Sequence, residues 1–346
     1  MRDDEGVTSP TPLRITALAG GVGGARFLRG LLAHLRASGD PARREAEVTV
    51  ISNTADDVVL HGLRISPDLD SVMYTLGGGI DEVRGWGRSQ ESDGVARELA
   101  AYGAGPSWFT LGDKDIATHL VRTRMLAEGS TLSQATAVLC ERWRPGVRLL
   151  PMTDDVVQTH VDLAAVDPAL HHGEAGGRRV HFQEWWVRLH AAVPALWIEP
   201  VGAATATPAP GVLEAVTQAD ALILPPSNPV VSIGTILSVP GIREAVVEGP
   251  APVVGVSPVI GGAPVRGMAD ACLASIGVPT TAAAVAGLYA DFLDGWLVAE
   301  GDEAPTTPGL VVQHRPLLMS DPTTTTALAG AALDLALAVD RKDRAA

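Results

Sequence analysis

The segment LRITALAGGVGGARFLRGLLAHLRA, residues 13–37, decides the fold of this chain. Its first part, 13–19, is an apolar run typical of a buried strand, and 25–37 repeats apolar side chains at the spacing of one helical face. The glycine-rich residues 20–24 connect the two. A second apolar run, EVTVISN (47–53), follows the helix. Strand, helix and strand in this order predict the start of a parallel sheet.

The same alternation returns in the second half of the chain. Apolar runs at 219–226 and 251–258 predict two further strands, and the run at 309–314 predicts a late one. Helical spacing of apolar residues is found at 234–247, 264–276, 281–298 and 323–340. Together these patterns predict the α/β class, with a parallel sheet flanked by helices.

The middle of the chain has a different character. It contains a polar stretch at 166–179 and a stretch rich in Pro, Ala and Thr at 201–211. We therefore expect a smaller cap region inserted into one large domain. The predicted division is a core over 13–130 and 211–340, an insertion over 131–210, and flexible tails over 1–12 and 341–346.

Composition narrows the functional class. Of the 346 residues, 46% are hydrophobic, which is enough for a sizeable core. The net charge of −14 argues against broad binding to nucleic acid, which needs a basic surface. Gly, Pro or charged residues interrupt every long apolar run, so no membrane span is expected. Two isolated cysteines, Cys140 and Cys272, fit buried thiols in a reducing cytoplasm.

The turn after the first strand is the first candidate site. Gly20, Gly21, Gly23 and Gly24 lack a Cβ, so the backbone here can approach a phosphate at the start of a helix. The pattern is not a P-loop, and it fails the dinucleotide fingerprint because Arg26 occupies the third glycine position. The alternative is a tight structural turn. Two later loops repeat this arrangement after their strands, at Ser227-Asn228 and at Gly261-Gly262.

Four acidic residues follow the second strand, at Asp56, Asp57, Asp68 and Asp70. Carboxylates at the same sheet edge as a phosphate site predict Mg²⁺ between them, because Mg²⁺ prefers oxygen ligands. Alternatively, one carboxylate accepts the proton of an attacking hydroxyl. A third interpretation is that these residues cap a helix, which applies most directly to Asp70. For Asp68 the choice between a functional and a capping role stays open.

Two further stretches carry candidate ligand contacts. Trp86 and Arg88 lie among glycines, and an indole with a guanidinium suits a planar aromatic ligand. An ordinary loop with a buried Trp is the alternative. His119 follows an acidic helix start, although a lone histidine is more often structural than catalytic.

Taken in order, these motifs resemble the 2-phospho-L-lactate transferase family of coenzyme F420 biosynthesis. The resemblance spans residues 14–300 and is far more specific than one glycine turn. It rests on the motifs GGVGGARFLRGL, SNTADD, HGL, PDLDSVMYTLGG, GWGR, LGDKDIATHLVRT, MTDDVVQTHV, FQEWWVR, LPPSNPVVSIGTIL and SPVIGGAPVRGMAD.

The resemblance implies a Rossmann-like fold, a homodimer, and Mg²⁺-dependent transfer of a phospho-acid from a guanosine diphospho-linked donor to the deazaflavin Fo, with release of GMP. Mapped by motif, the catalytic residues are Asp57 and Asp70, and the metal ligands are Asp56, Asp57 and Asp68. The Fo contacts are Asp57, Trp86, Arg88 and His119. The donor contacts are Gly20, Gly21, Gly23, Gly24, Ser227, Asn228, Gly261 and Gly262.

The acid on the donor is the open choice. Similarity of GGVGGARFL and MYTLGGGID to actinobacterial members favours the enolpyruvyl donor, which gives dehydro coenzyme F420-0. The alternative is transfer of 2-phospho-L-lactate. A nucleotide-sugar-binding regulator of the gluconeogenesis-factor type is the rival from another class, and the GWGR and LGDKDIATH stretches count against it. A nucleotide-dependent dehydrogenase is disfavoured by the failed fingerprint.

Overall fold

A computed structural model describes residues 11–164, 178–339 and 341. The strands are β1 (Arg14–Ala19), β2 (Glu47–Ser52), β3 (Val58–Leu60), β4 (Leu63–Ile65), β5 (Arg148–Pro151), β6 (Gln158–Leu163), β7 (Arg179–His181), β8 (Ala195–Val201), β9 (Ala221–Leu224), β10 (Val253–Val256), β11 (Val259–Ile260), β12 (Ala263–Pro264), β13 (Gly295–Ala299) and β14 (Val311–Arg315).

The α-helices are α1 (Gly21–Arg36), α2 (Pro41–Arg44), α3 (Pro67–Leu76), α4 (Gly94–Ala101), α5 (Asp113–Ala127), α6 (Leu132–Trp143), α7 (Val212–Thr217), α8 (Thr235–Leu237), α9 (Ile242–Glu248), α10 (Ala269–Ser275), α11 (Ala282–Gly287) and α12 (Pro322–Ala338). Two π-helical segments, Glu184–Arg188 and Pro229–Gly234, and a 3-10 turn, Ala203–Thr205, complete the helical elements of the described residues.

Seven parallel strands form the main sheet, in the order β14-β13-β10-β9-β1-β2-β5. The chain starts at β1, moves outward through β2 and β5, and returns to β9 on the other side of β1. The order of strands therefore reverses between β1 and β9, and ligands of such sheets bind beyond the carboxyl ends of the strands at this switch point. The predicted Rossmann-like α/β class is confirmed.

Helices cover both faces of this sheet because its strands alternate their side chains between two buried layers. In β1, Ile15 and Ala17 join the core beneath α1, α3 and α12, whereas Leu18 joins the core beneath α7, α9 and α11. The strands are apolar on both faces, as parallel sheets covered by helices require. Phe27 and Leu31 are completely buried where α1 packs on the sheet.

The cap is a separate antiparallel sheet in the order β7-β6-β8. Val161, Val180, Trp185 and Ile198 form its small core, which reaches the main domain at Cys272 of α10. The predicted start of the insertion at residue 131 needs correction, because α6 and β5 belong to the main domain. β5 pairs with β2 in the main sheet and its Leu149 and Leu150 are buried there.

The ends of the chain fall mostly outside this description. The predicted tails, 1–12 and 341–346, lie outside the described residues except for 11, 12 and Arg341. The Arg341 guanidinium donates to the Ala251 carbonyl oxygen at 2.7 Å. Most of the polar stretch at 166–179 also lies outside the described residues.

One predicted helix is wrong in its second half. The apolar spacing predicted a helix over 281–298, but α11 ends at Gly287 and β13 occupies Gly295–Ala299. All five residues of β13 are buried, so it has no polar alternation, and such a short apolar run fits either element. Among the described residues, no single helix is long and apolar enough to cross a membrane.

Gly30→Ala tests the close packing of α1 against α12. A Cβ at Gly30 would lie 2.6 Å from the Thr325 carbonyl oxygen, which belongs to the backbone of α12. We expect the free energy of unfolding to fall by about 1–3 kcal/mol because the two helices are forced apart. Urea unfolding followed by circular dichroism measures this change.

The control is Gly287→Ala in α11, where a Cβ would meet no atom within 4 Å. This variant should keep its stability or gain up to about 1 kcal/mol, since Ala is the better helix former. Equal stability of the two variants would contradict the packing described for Gly30.

Candidate functional site

A cavity of about 940 Å³ lies at the carboxyl ends of β1 and β9, at the switch point of the sheet. Its walls come from the glycine turn (residues 20–24), the acidic loop (residues 56–70), the loop around Trp86, the cap, and the loops after β9 and β10. The lining residues assigned a role from the sequence are Gly20, Gly21, Gly23, Asp56, Asp68, Trp86, Ser227 and Asn228.

The glycine turn forms one wall of the cavity and leaves no room for side chains. A Cβ at Gly20 would lie 2.6 Å from Asp68 Oδ2, and one at Gly23 would lie 2.6 Å from the Pro226 carbonyl oxygen. Gly21 has a φ of +63°, which favours glycine. Gly20 is the N-cap of α1 and supplies no side-chain cap. The Gly21 N–H is hydrogen-bonded to the Asp68 carboxylate, so the N–H groups that follow it are the ones available to an anion.

Ser227 connects the glycine turn to the loop after β9 by hydrogen bonds. Its hydroxyl accepts a hydrogen bond from the Gly20 N–H at 3.3 Å and donates one to the Gly20 carbonyl oxygen at 3.0 Å. Gly24 packs inside this junction, where a Cβ would lie 2.7 Å from Ser227 Oγ, and it does not line the cavity. The turn and the loop therefore form one rigid unit.

Asn228 caps the helical segment that follows this loop. Its side-chain oxygen accepts hydrogen bonds from the N–H groups of Val230 at 2.9 Å and Val231 at 3.2 Å. Its amide nitrogen contacts Cys272 Sγ at 3.4 Å. Asn228 thus shapes the cavity wall while its own side chain is held in place.

Asp56 and Asp68 are the two acidic side chains that line the cavity. Burial raises the pKa of Asp68 to about 7, against the hydrogen bond that Asn53 Nδ2 donates to Asp68 Oδ2 at 3.1 Å. Burial, and then the charge of Asp68, raise the pKa of Asp56 well above its usual range. Asp56 Oδ1 is buried and accepts no hydrogen bond. A bare oxygen beside a second carboxylate is an arrangement that a cation would stabilise.

Asp57 points away from the cavity, although the sequence placed it at the centre of the chemistry. It is completely buried, and its carboxylate accepts hydrogen bonds from Arg64 Nε at 3.1 Å and Ser66 Oγ at 2.6 Å. Burial, opposed by the Arg64 charge, raises the pKa of Asp57 to about 6. In this structure Asp57 holds the β3–β4 hairpin rather than contacting a ligand in the cavity.

Asp70 and His119 belong to a buried network between α3 and α5, also outside the cavity lining. The Arg122 guanidinium binds both carboxylate oxygens of Asp70, with Nη1 at 3.1 Å from Oδ2. His119 lies between two carboxylates, with its Nδ1 at 3.7 Å from Asp70 Oδ2 and its Nε2 at 3.3 Å from Asp115 Oδ2. Asp70, Arg122 and His119 contact one another, although Arg122 Nε and His119 Nε2 are buried without a hydrogen-bond partner among the described residues. The geometry of this network explains how α3, which carries Asp68, is fixed in place.

Trp86 and Arg88, predicted to act together, are separated. Trp86 lines the cavity and is 48% exposed. The Arg84 guanidinium lies over its ring at 4.9 Å, which leaves the opposite face for a ligand. Arg88 lies outside the lining, donates to the Lys114 carbonyl oxygen at 2.7 Å and sits 4.9 Å from the ring of Trp143. It anchors the loop that presents Trp86.

Gly261 and Gly262 also lie outside the cavity lining. They form the turn of the β11–β12 hairpin with φ values of +59° and +77°, and two positive values in succession suit a tight hairpin turn. The cavity contacts come from the residues that follow, at Val265–Ala269.

Several lining residues went unassigned from the sequence, although most lie in its quoted motifs. They include Arg26, Trp108, Gln183, Trp186, Arg188 and Arg266. Gln183 Nε2 donates to the Asp56 carbonyl oxygen at 3.1 Å, and His181 Nε2 donates to that of Asp57 at 3.1 Å. The cap is thereby hydrogen-bonded to the acidic loop, a contact between distant segments that no local motif reveals.

Within the described ranges, no group of three or more His, Cys, Asp or Glu side chains is arranged to hold a metal ion. Two carboxylates are nevertheless sufficient for Mg²⁺, which commonly binds one or two protein carboxylates and completes its shell with water and substrate phosphates.

The sheet order and the cavity at the switch point define a Rossmann-like α/β protein. The model of the family described as 2-phospho-L-lactate transferase CofD matches residues 15–311. The chain belongs to this family, as its motifs indicated.

Curated relatives extend over nearly the whole chain. A phosphoenolpyruvate transferase of Thermobifida fusca is 59% identical over 94% of this chain and 98% of its own length. That of Kitasatospora aureofaciens is 60% identical over 94% and 98%, and that of Mycolicibacterium smegmatis is 53% identical over 94% and 99%. A crystal structure of a UPF0052 family member from Bacillus halodurans has a TM-score of 0.62 at 14% identity, covering 94% of this chain and 99% of that one. The last likeness concerns the fold alone.

Asp70→Asn tests whether Asp70 is structural. The substitution leaves the buried Arg122 guanidinium without its counter-charge, so we expect the free energy of unfolding to fall by about 3–5 kcal/mol. Urea unfolding measures it. Adding Arg122→Met removes the stranded charge and should restore most of the loss. An Asp70→Asn protein as stable as the wild type but inactive would instead place Asp70 in the chemistry.

Proposed function

We propose that this chain transfers a phosphoenolpyruvyl group from enolpyruvyl-diphospho-5'-guanosine to the deazaflavin Fo, giving dehydro coenzyme F420-0 and GMP. The observation that carries this proposal is the switch-point cavity, in which a glycine-rich helix start faces two buried carboxylates. Relatives 52–60% identical over 94% of this chain carry the name phosphoenolpyruvate transferase, which supports the enolpyruvyl donor over the lactyl one.

Each wall of the cavity has a part in this reaction. The N–H groups at the start of α1 and the Ser227-Asn228 loop would hold the donor phosphates, since a helix start favours anions. Trp86 would contact the planar deazaflavin, with Trp108 and Trp186 extending the aromatic wall. Both substrates then lie in one cavity, and positioning of this kind is a major contribution to such transfers.

The chemical step is a displacement at phosphorus. The terminal hydroxyl of the Fo side chain attacks the phosphorus that carries the enolpyruvyl oxygen, and a new phosphorus–oxygen bond forms. The bond from that phosphorus to the bridging oxygen breaks, and GMP leaves with that oxygen. The hydroxyl proton is released to water. The protein contributes mainly orientation and neutralisation of charge.

The two carboxylates that line the cavity, Asp56 and Asp68, suit a bound Mg²⁺ ion. Asp56 and Asp68 would hold it, because both line the cavity, which Asp57 does not, and Asp56 Oδ1 is buried without a hydrogen-bond partner. When bound, Mg²⁺ supplies neutralisation of the diphosphate charge. Asp57, also predicted as a metal ligand and as a catalytic residue, is separated from the cavity by its pairing with Arg64. We therefore transfer its proposed metal role to Asp56 and Asp68.

The direct test of the proposed reaction combines purified protein, Fo and Mg²⁺ with the enolpyruvyl or the lactyl donor. We expect GMP and dehydro coenzyme F420-0 with the enolpyruvyl donor, detected by mass spectrometry, and loss of product when EDTA removes the metal. A preference for the lactyl donor would change the assigned acid. Absence of any Fo adduct with either donor would refute the transferase function.

The pH dependence of Mg²⁺ binding tests the cavity acids. Asp68 has a pKa near 3.8 when unfolded and about 7 when folded, so the folded protein keeps an extra proton between these values. Its contribution to stability is lost as the pH rises through that window. Mg²⁺ must displace the proton of Asp68 and that of Asp56, whose pKa is also raised, so binding should weaken by about tenfold to 100-fold per pH unit as the pH falls below 7.

The rise in melting temperature on adding MgCl₂ at pH 5, 6, 7 and 8 measures this effect. Asp68→Asn should abolish the Mg²⁺ response. Asp93→Asn, which removes an exposed carboxylate paired only with Arg97 at 3.5 Å, should retain it. A Mg²⁺ response independent of pH, or one that survives Asp68→Asn, would place the metal elsewhere.

Two further properties stay predictions. The homodimer implied by family resemblance is checked by light scattering coupled to gel filtration. The cytoplasmic location expected from the two cysteines is checked by cell fractionation.

A further inference from the structure

Two arginines that line the cavity have no role in the function proposed above. Arg26 lies on α1 and Arg266 in the loop after β12, and neither forms an ion pair with a carboxylate among the described residues. Burial and the charge of Arg26 both lower the pKa of Arg266, so the two positive charges act on each other. Two like charges left unbalanced in a cavity indicate a site for an anion with more than one negative group.

The position of Arg266 shows which part of the ligand this anion is. Its Nη2 donates to the Arg84 carbonyl oxygen at 2.7 Å, and a Cβ at Gly85 would lie 2.6 Å from its Nη1. Arg266 therefore lies directly against the loop that presents Trp86. Arg26, whose charge acts on Arg266, belongs to the helix that begins at the glycine turn. The pair occupies the junction between the proposed Fo wall and the proposed donor-phosphate wall.

We propose that Arg26 and Arg266 bind the phospho-acid being transferred, with its carboxylate as the group that they recognise, and thereby select donors that carry a free carboxylate. This inference rests on the proposed function. The transferred group must lie between donor nucleotide and acceptor, and Arg26 and Arg266 line the cavity that would hold both. A guanidinium matches the two oxygens of a carboxylate in a planar, two-pronged contact.

The other charges of the cavity support this assignment. Asp56 and Asp68 repel a second carboxylate, so an acid-bearing donor needs positive charge apart from them. Arg188 also lines the cavity, but Glu184 Oε1 lies 2.9 Å from its Nη1 and balances its charge. Arg26 and Arg266 are thus the cavity arginines without a carboxylate partner among the described residues.

The test compares two guanosine ligands that differ in the acid. GDP lacks a carboxylate, whereas lactyl-diphosphoguanosine carries one, and their dissociation constants are measured by isothermal titration calorimetry with Mg²⁺ present. Arg26→Gln and Arg266→Gln should each weaken binding of the lactyl ligand about 10- to 100-fold, the usual effect of losing a hydrogen bond to a charged group. Binding of GDP should change by less than about threefold.

Two variants serve as matched controls. Arg29→Gln removes a positive charge from the same helix outside the cavity lining, where Arg29 pairs with Glu82, and should leave both affinities unchanged. Arg266→Lys keeps the charge but loses the planar fork, so it should recover only part of the affinity for the lactyl ligand. Thermal unfolding verifies that each variant folds.

The outcomes separate this inference from the proposed function. Equal weakening of GDP and of the lactyl ligand would assign the arginines to the diphosphate and overturn the inference, as would no weakening of either ligand. If the wild type binds both ligands but yields no Fo product, the transferase function is refuted. The dissociation constants of the arginine variants then still test whether the two arginines bind the carboxylate. If the wild type binds neither ligand, both proposals fall.

Discussion

The structure depends on the close approach of the β1–α1 turn to the loop after β9. The Ser227 hydroxyl holds both backbone groups of Gly20, and a Cβ at Gly20, Gly23 or Gly24 would lie within 2.7 Å of a neighbouring atom. Glycine removes that obstacle at each position. Because β1 and β9 flank the reversal of strand order, the same contact closes one side of the cavity. The same contact therefore determines both the packing of the fold and the shape of the site.

The acidic residues next to this turn divide into two groups of opposite character. Asp57 and Asp70 each have an arginine partner, and their negative charges are neutralised within the protein. Asp56 and Asp68 have no arginine within ion-pair distance among the described residues, and both line the cavity. The paired acids hold the hairpin and α3, whereas the unpaired acids face the cavity. A site that must attract a cation keeps charge unbalanced where the cation is to bind.

The sequence was sufficient for the fold class and for the place of the site. Alternating strand and helix patterns indicate a parallel sheet, and polar residues after strands fall at its carboxyl edge. It was insufficient for the direction of individual side chains. Asp56 and Asp57 are neighbours, yet they face opposite ways because Arg64 and Ser66, on and beside the β3–β4 hairpin, bind only Asp57. Likewise, Arg88 and His119 bind residues distant in sequence, Lys114 and Asp70. The sequence pattern of β13 predicted a helix because both faces of this strand are buried.

In the proposed function, the cavity at the switch point holds the donor phosphates and a metal between Asp56 and Asp68. A crystal structure with GDP and Mn²⁺ in place of Mg²⁺ tests it directly, because Mn²⁺ is located by its anomalous scattering. We expect an anomalous peak within coordination distance of both carboxylates, with the diphosphate against the N–H group of Gly23. A peak at another group of ligands, or GDP bound outside this cavity, would contradict it.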